Sequence, residues 1–268
     1  MRSRWSRPSP ARPVIVLGLA LTAWLAQAPA RSASLQAAQQ AGGYRGPRAA
    51  DGKPNLNGIW QVLNSANGDI EAHSAQPNVP AGMGVVEGGS IPYQPWALAK
   101  KRDNYARRAT ADPLSKCFLP GVPRATYVPM PFEIIQTPRY TVMAFEIARA
   151  RRIIYTDGSK HPEALEFWMG DSRGHWEGDT LVVDSVDFND DTWFDQAGNF
   201  HSDALHTVER YTPMDPDHIR YDVTIEDPKV FTRPWKMSMI LYRRLDKGLQ
   251  LLEYDCVSFF WQTVTAGK

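Results

Sequence analysis

Cysteine is scarce in this sequence: only Cys117 and Cys256 occur, and neither follows the apolar leader closely enough to carry a lipid, which argues against a lipoprotein. A surplus of charge is also lacking. Lys and Arg number 30 against 29 Asp and Glu, so no basic stripe is available for nucleic acid or anionic lipid. Nucleotide-loop, haem and flavin fingerprints are missing, and with them any signal for a large organic cofactor. No histidines show the helical spacing His-Glu-x-x-His or the strand spacing His-x-His. His161, His201 and His206, with His175 and Glu209, hold donors enough for a divalent ion, but the spacing leaves no metal expected. These absences leave a small-molecule ligand as the expected partner.

What is present begins with an address. Arg2, Arg4, Arg7 and Arg12 form a cationic region, Val14–Ala28 is apolar but short for a membrane span, and Ala28-Pro29-Ala30 supplies small residues for cleavage. Residues 1–30 therefore read as a signal peptide, without the paired arginines of the twin-arginine route, and the product is expected in the periplasm or outside the cell. After cleavage no membrane partner is expected. In such an oxidising compartment the two cysteines, Cys117 and Cys256, are expected to form a disulfide.

Residues 31–54, rich in Ala, Gln, Gly and Arg, read as a disordered leader, and residues 55–268 as a single β domain. Asn64–Pro95 reads as a long loop, Trp96–Ala109 as a helix with a basic outer face, and the prolines from Pro113 to Pro131 as an extended strap. Alternation at Tyr221, Val223 and Ile225, and again at Met237, Met239 and Leu241, predicts half-buried strands. Further strands are expected at Leu56–Trp60, Phe132–Gln136, Tyr140–Glu146, Arg151–Thr156, Thr180–Val186, Leu205–Thr212 and Leu249–Phe260. Glu177-Gly178-Asp179 and similar triplets supply hairpin turns. The fold class is thus all-β: an antiparallel meander that closes into a barrel, with a β-sandwich as the alternative.

Gly58-Ile59-Trp60 resembles the Gly-x-Trp with which lipocalins begin, and that resemblance implies a late arginine, Arg243 or Arg244, stacked on the tryptophan. From Asp112 onward the chain is similar to a family of exported bacterial β-rich proteins. The likeness rests on Cys117–Arg124, Arg152–Gly158 with His161-Pro162, Gly170–Asp184 (GDSRGHWEGDTLVVD), Phe188-Asn189, Thr192-Trp193, His201–His206, Glu209-Arg210-Tyr211 and Thr224–Pro228. It implies a secreted β-rich protein and brings no reaction with it.

Chemistry is sought where histidines gather, since five of the six lie between Arg151 and Tyr221. The favoured reading is a lyase, isomerase or hydratase working by proton transfer. His206 would be the acid/base, Glu209 or Asp203 would orient it, and His161 and His201 would assist. Arg152, Tyr155, His175 and Trp193 would bind the substrate. On a regular strand His206 and Glu209 point to opposite faces, so this pair needs a bulge or a turn to meet. The opposing structural reading has solvated rim histidines, one core histidine, and a buried Arg–Glu contact among Glu146, Arg152 and Glu226. A second function is a lipocalin-like periplasmic binding protein for a hydrophobic or aromatic ligand. A third is a serine hydrolase built on Gly170-Asp171-Ser172-Arg173-Gly174, though that motif needs a helix after the serine and here a turn and strand follow.

Overall fold

The computed structural model describes residues 43–76, 79–163 and 165–254. Contacts divide the chain into Met1–Gly43 and Tyr44–Lys268, and every element of the fold belongs to the latter. Nine strands close into one barrel: β1 (Gly58–Val62), β2 (Phe132–Gln136), β3 (Tyr140–Phe145), β4 (Arg151–Tyr155), β5 (Asp171–Glu177), β6 (Thr180–Val186), β7 (His206–Asp215), β8 (His218–Glu226) and β9 (Trp235–Arg243). Each pairs with the next and β9 returns to β1, so the sheet has no free edge. The barrel is the expected fold, and among the described residues no second sheet forms a sandwich.

The strands follow from alternation. In β8 the residues Ile219, Tyr221, Val223 and Ile225 are buried and face the bore, and in β9 Trp235, Met237, Met239 and Leu241 do the same. Trp60, Phe132, Phe145, Met143 and Tyr211 complete an interior filled by side chains. At the β5–β6 turn Gly178 has φ +60°, a conformation that costs glycine little.

One seam departs from the antiparallel meander. β4 and β5 run parallel and share only two register pairs, Ile154 with Ser172 and Tyr155 with Arg173. A parallel neighbour requires a long crossover, and residues 156–170 provide it without a helix among the described residues. β5 itself is a strand that hydrophobic alternation does not announce, because its inward positions are Ser172, Gly174 and Trp176. The first two are small where a bulky side chain from β4 needs the room.

Other boundaries shift. The helix is α1 (Pro95–Ala106), followed by a short α2 (Arg108–Ala111). The proline-rich strap is not wholly extended: Pro113–Lys116 forms a 3-10 turn and Arg124–Tyr127 a turn of helix, α3. All four residues of α3 are buried. Arg124 forms a double hydrogen bond with Asp112 at 2.8 Å, and Tyr127 Oη donates to the carbonyl of Phe194 at 2.8 Å. Leu249–Tyr254 carries no strand, and the rest of the strand expected there lies outside the described residues, as does Cys256 and with it the Cys117–Cys256 pairing. Within the expected leader, Tyr44 and Arg48 bind Asp179 on the β5–β6 turn, both at 2.8 Å, so this stretch is held against the barrel.

The Gly-x-Trp signature is realised in three dimensions. Trp60 is buried and its Nε1–H donates to the carbonyl of Leu56 at 2.8 Å. The Arg243 guanidinium stacks over its ring at 4.2 Å and donates through Nε to the Pro216 carbonyl at 2.8 Å. Gly58 has φ +131°, and a Cβ there would lie 2.3 Å from the Arg243 guanidinium. Gly58→Ala therefore combines backbone strain with a clash against the stack. It should destabilise by about 1–3 kcal/mol, read as a lowered urea midpoint with an unchanged slope.

Candidate active site

Strand parity sorts the ionisable groups into two sets, one inside the barrel wall and one outside. Inside, Arg152 of β4 meets Glu209 of β7, and both side chains are almost fully buried, at 1% and 0% exposure. Arg152 Nη1 donates to Glu209 Oε1 at 3.0 Å and Nη2 donates to Oε2. Nε reaches Ser172 Oγ at 2.9 Å and Nη2 also reaches Ser185 Oγ at 2.8 Å. Tyr211 and Tyr221 donate to Glu209 Oε1 at 2.9 and 2.8 Å. Burial, and then the charge of Glu209, push both phenols well above their ordinary pKa, so they remain donors. Burial disfavours the Arg152 charge, but Glu209 outweighs it and holds the guanidinium protonated. Both oxygens of Glu209 and all three guanidinium nitrogens of Arg152 are thus hydrogen-bonded within the bore.

Outside, four strands build a polar band. His206 on β7 faces Asp184 on β6 and Glu226 on β8, with Nε2 2.9 Å from Asp184 Oδ2 and Nδ1 3.3 Å from Glu226 Oε2. The other oxygen of Asp184 is 3.0 Å from His161 Nε2, and His161 Nδ1 lies 2.7 Å from Asp171 Oδ1. Arg173 grips Asp171 from Nε and Nη2 at 2.7 and 2.8 Å. The result is a chain of alternating groups: Glu226, His206, Asp184, His161, Asp171, Arg173. An ionised carboxylate only accepts, so the two carboxylates on His206 favour the form of its ring that donates from both nitrogens.

Asp171 and Arg173 also line a cleft of about 550 Å³ where β4 and β5 splay apart beyond their two register pairs. Its outer wall is Ile153, Tyr155, Phe167, Trp168 and Leu119, and its floor reaches Arg152 and Ser172. Arg173 stacks on the Tyr155 ring at 4.5 Å, and Trp168 packs edge-on against Phe118 at 5.0 Å.

The structure thus brings Arg152, Tyr155 and His161 to one region and links His206 to it through Asp184. It does not bring His206 and Glu209 together. β7 has no bulge between them, so one projects outward and the other into the bore, and the partners of His206 are Asp184 and Glu226. His201 is a core histidine: Nδ1 donates to the Ser202 carbonyl at 2.9 Å, Thr192 Oγ1 lies 2.7 Å from Nε2, and Phe188 and Phe194 pack on the ring. Burial pushes its pKa down, so the ring is neutral. His175 is exposed beside Glu177 at 3.2 Å, Asp203 is exposed on Lys229 at 2.6 Å, and Trp193 is buried opposite Phe200. None of these four lines the cleft. Ser172 sits mid-sheet, bonded to Arg152 and to Ser185 Oγ at 3.0 Å, with no histidine on it and no helix after it, which is not the geometry of a nucleophile elbow. Among the described residues no cluster of three or more His, Cys, Asp or Glu is arranged to hold a metal ion.

Asp171, Asp184 and Glu226 are site residues that the acid–base reading of the sequence did not include; Asp184 entered the sequence reading only as the acid that follows Ser172 in hydrolase order. Their signal was parity: each lies an even number of positions from outward-facing neighbours on its own strand. Comparisons of the chain with protein-family models, curated proteins and solved structures return no match.

Burial lowers the pKa of His206, but the hydrogen bonds and charges of Asp184 and Glu226 outweigh it and raise the value above the ordinary 6.5. A raised histidine stabilises the fold fully below the unfolded value, and that contribution is lost as pH rises through the folded one. The His206 ring, followed by NMR, should titrate with a midpoint above 6.5. In Glu226→Gln the midpoint should move back down, and an unchanged midpoint would contradict the pairing.

Proposed function

We propose that this protein is a small-molecule acid–base enzyme of the lyase, isomerase or hydratase type, and that its reacting groups lie on the outer face of β5–β8, not in the bore. The observation that carries this reading is Asp184, whose two oxygens each bind an imidazole, one of which, His161, is bonded in turn to Asp171 in the lining of an aromatic-walled cleft. Such a carboxylate orients both rings and stabilises the cationic form of His206, which makes that ring a source of protons close to neutral pH. His206 is the proton donor that the raised pKa supports. His161 is fixed through Nδ1 by Asp171, itself clamped by Arg173, so its Nε2 end stays directed at Asp184 and His206. A substrate group that displaces Asp184 from one ring would receive a proton from that nitrogen, while Asp184 stays bonded to the other. Protonation of a leaving oxygen or of a carbon centre next to a carbonyl belongs to the proposed reaction types. Arg152 and Glu209 serve the site as scaffold, since their hydrogen bonds are spent on one another and on the bore.

Turnover of candidate substrates by wild type, His161→Gln, His206→Gln and Asp184→Asn tests the reading. Each substitution should cost about 10²–10⁴ in rate, as loss of an acid/base group does, while thermal unfolding shifts little because the side chains are half-exposed. Activity should fall as pH rises through the His206 titration. Variants that turn over at the wild-type rate would overturn the assignment. Ligand binding without turnover in the wild type would favour the second reading, a periplasmic binding protein for an aromatic ligand that uses the same cleft.

The compartment that suits this reading is extracytoplasmic. The cationic region, the Val14–Ala28 apolar run and the small residues at Ala28-Pro29-Ala30 support export with cleavage near Ala30. No helix among the described residues is long and apolar enough to cross a membrane. Mass spectrometry of secreted protein should find an N-terminus near Arg31 and no titratable thiol before reduction, with Cys117 joined to Cys256. An intact N-terminus or two free thiols would count against export with a disulfide.

A further inference from the structure

The charges around the cleft are unequal in one respect. Arg152 is neutralised by Glu209, and Arg173 by Asp171. Two charged groups that line the cleft remain: the guanidinium of Arg151 and the carboxylate of Glu166, neither of which has an ion pair or side-chain hydrogen bond among the described residues. Arg151 opens β4 on its outer face, two residues from Ile153 and four from Tyr155, so it lies in line with the apolar wall. Glu166 precedes Phe167 and Trp168 on the opposing crossover.

We infer that the cleft binds an aromatic monocarboxylate, with its ring between Ile153, Tyr155 and Trp168 and its carboxylate on Arg151. This inference rests on the reading that the cleft serves the Asp184-linked histidines, and it names the class of molecule they act on. The volume of about 550 Å³ falls within the range of small-molecule sites. Trp168 and Tyr155 present rings to stack on, and Tyr155 is backed by the Arg173 guanidinium. Arg151 offers a planar donor fork that matches a carboxylate in two hydrogen bonds. Glu166 sets the limit on charge. One free cation and one free anion leave the cleft neutral, so a single carboxylate finds a partner, whereas a second negative charge meets Glu166. Phosphate esters and dicarboxylates are selected against by the same residue. A carboxylate held at Arg151 anchors the substrate at the seam, where Asp171 connects the cleft to His161.

The test is binding, without chemistry. Benzoate is titrated into the full-length mature protein by calorimetry, and the Trp168 indole N–H is followed by NMR. Benzoate should shift the Trp168 resonance, and Arg151→Gln should weaken binding about tenfold or more, the loss expected for a charge-assisted contact. Benzyl alcohol, which keeps the ring and lacks the charge, should bind about as weakly to wild type as benzoate does to Arg151→Gln. Phthalate should bind wild type more weakly than benzoate does, and Glu166→Gln should remove that difference. Benzoate that leaves Trp168 unperturbed, or that binds Arg151→Gln as tightly as wild type, overturns the inference. Phthalate that binds wild type as well as benzoate does overturns the role of Glu166. The His206→Gln protein should bind benzoate as wild type does. Loss of turnover with binding retained there supports the acid–base reading separately, whereas absent binding beside an intact His206 titration removes the ligand class alone.

Discussion

Arg152 is the side chain around which the barrel closes. The β4–β5 seam has two register pairs where its neighbours have five and seven, so the backbone alone holds β4 weakly to the strands that follow. From inside, Arg152 on β4 spans Ser172 on β5, Ser185 on β6 and Glu209 on β7, and so bonds across the seam with side-chain contacts where the ladder is short. The cost is desolvation of two charges, offset by their attraction and by the hydroxyls that satisfy what remains. Such a pair adds little net stability over an apolar replacement, but removal of one partner would strand the other at a cost of about 3–5 kcal/mol. Its value is specificity: among registers of a seam this short, one places the guanidinium on its carboxylate. The composition of β5 follows, because Ser172 is the hydroxyl that Arg152 Nε reaches, and a Cβ at Gly174 would come within 2.8 Å of Ile154.

The same short seam produces the cleft. Parallel neighbours require a long connection, and this one carries His161, Glu166, Phe167 and Trp168 over the outer surface just where β4 and β5 separate. The arginine that stabilises the gap from within and the aromatic residues that line it from without are thus consequences of one topological irregularity. Outer-face parity then supplies Asp171 and Arg173 from β5, Asp184 from β6, His206 from β7 and Glu226 from β8 as one lateral row. A row across four hydrogen-bonded strands is rigid, which suits side chains that must hold proton donors at fixed distances.

Much of the wall was legible from alternation alone. β2 and β6 coincide with the segments the pattern predicts, and the stack on Trp60 is the one that the likeness to lipocalins implied, with Arg243 and not Arg244 as the arginine. The opposition of His206 and Glu209 also followed from parity. What escaped was β5, since hydrophobic periodicity fails where one inward position is a serine bonded to a buried arginine and the next is a glycine packed against Ile154. Asp184 escaped for another reason. Its partnership with His161 and His206 depends on register across β6–β7 and on the path of the crossover, neither of which a linear pattern encodes. His201 was misleading because its neighbours Thr192, Phe188 and Phe194 come from a loop whose packing leaves no periodic trace.

The division between the two carboxylate sets also explains why the chemistry belongs outside. Glu209 accepts from one guanidinium and two phenols and is fully buried, so a proton moved to it would leave Arg152 charged and unpaired. Asp184, half-exposed, can trade a histidine for water or for a substrate oxygen at small cost, because solvent screens whichever charge is left behind. A group that must change its protonation state in each cycle needs that freedom, and a group that fixes the register of a barrel must not have it. The parity of one strand, β7, separates the two by placing His206 on one face and Glu209 on the other, three residues apart.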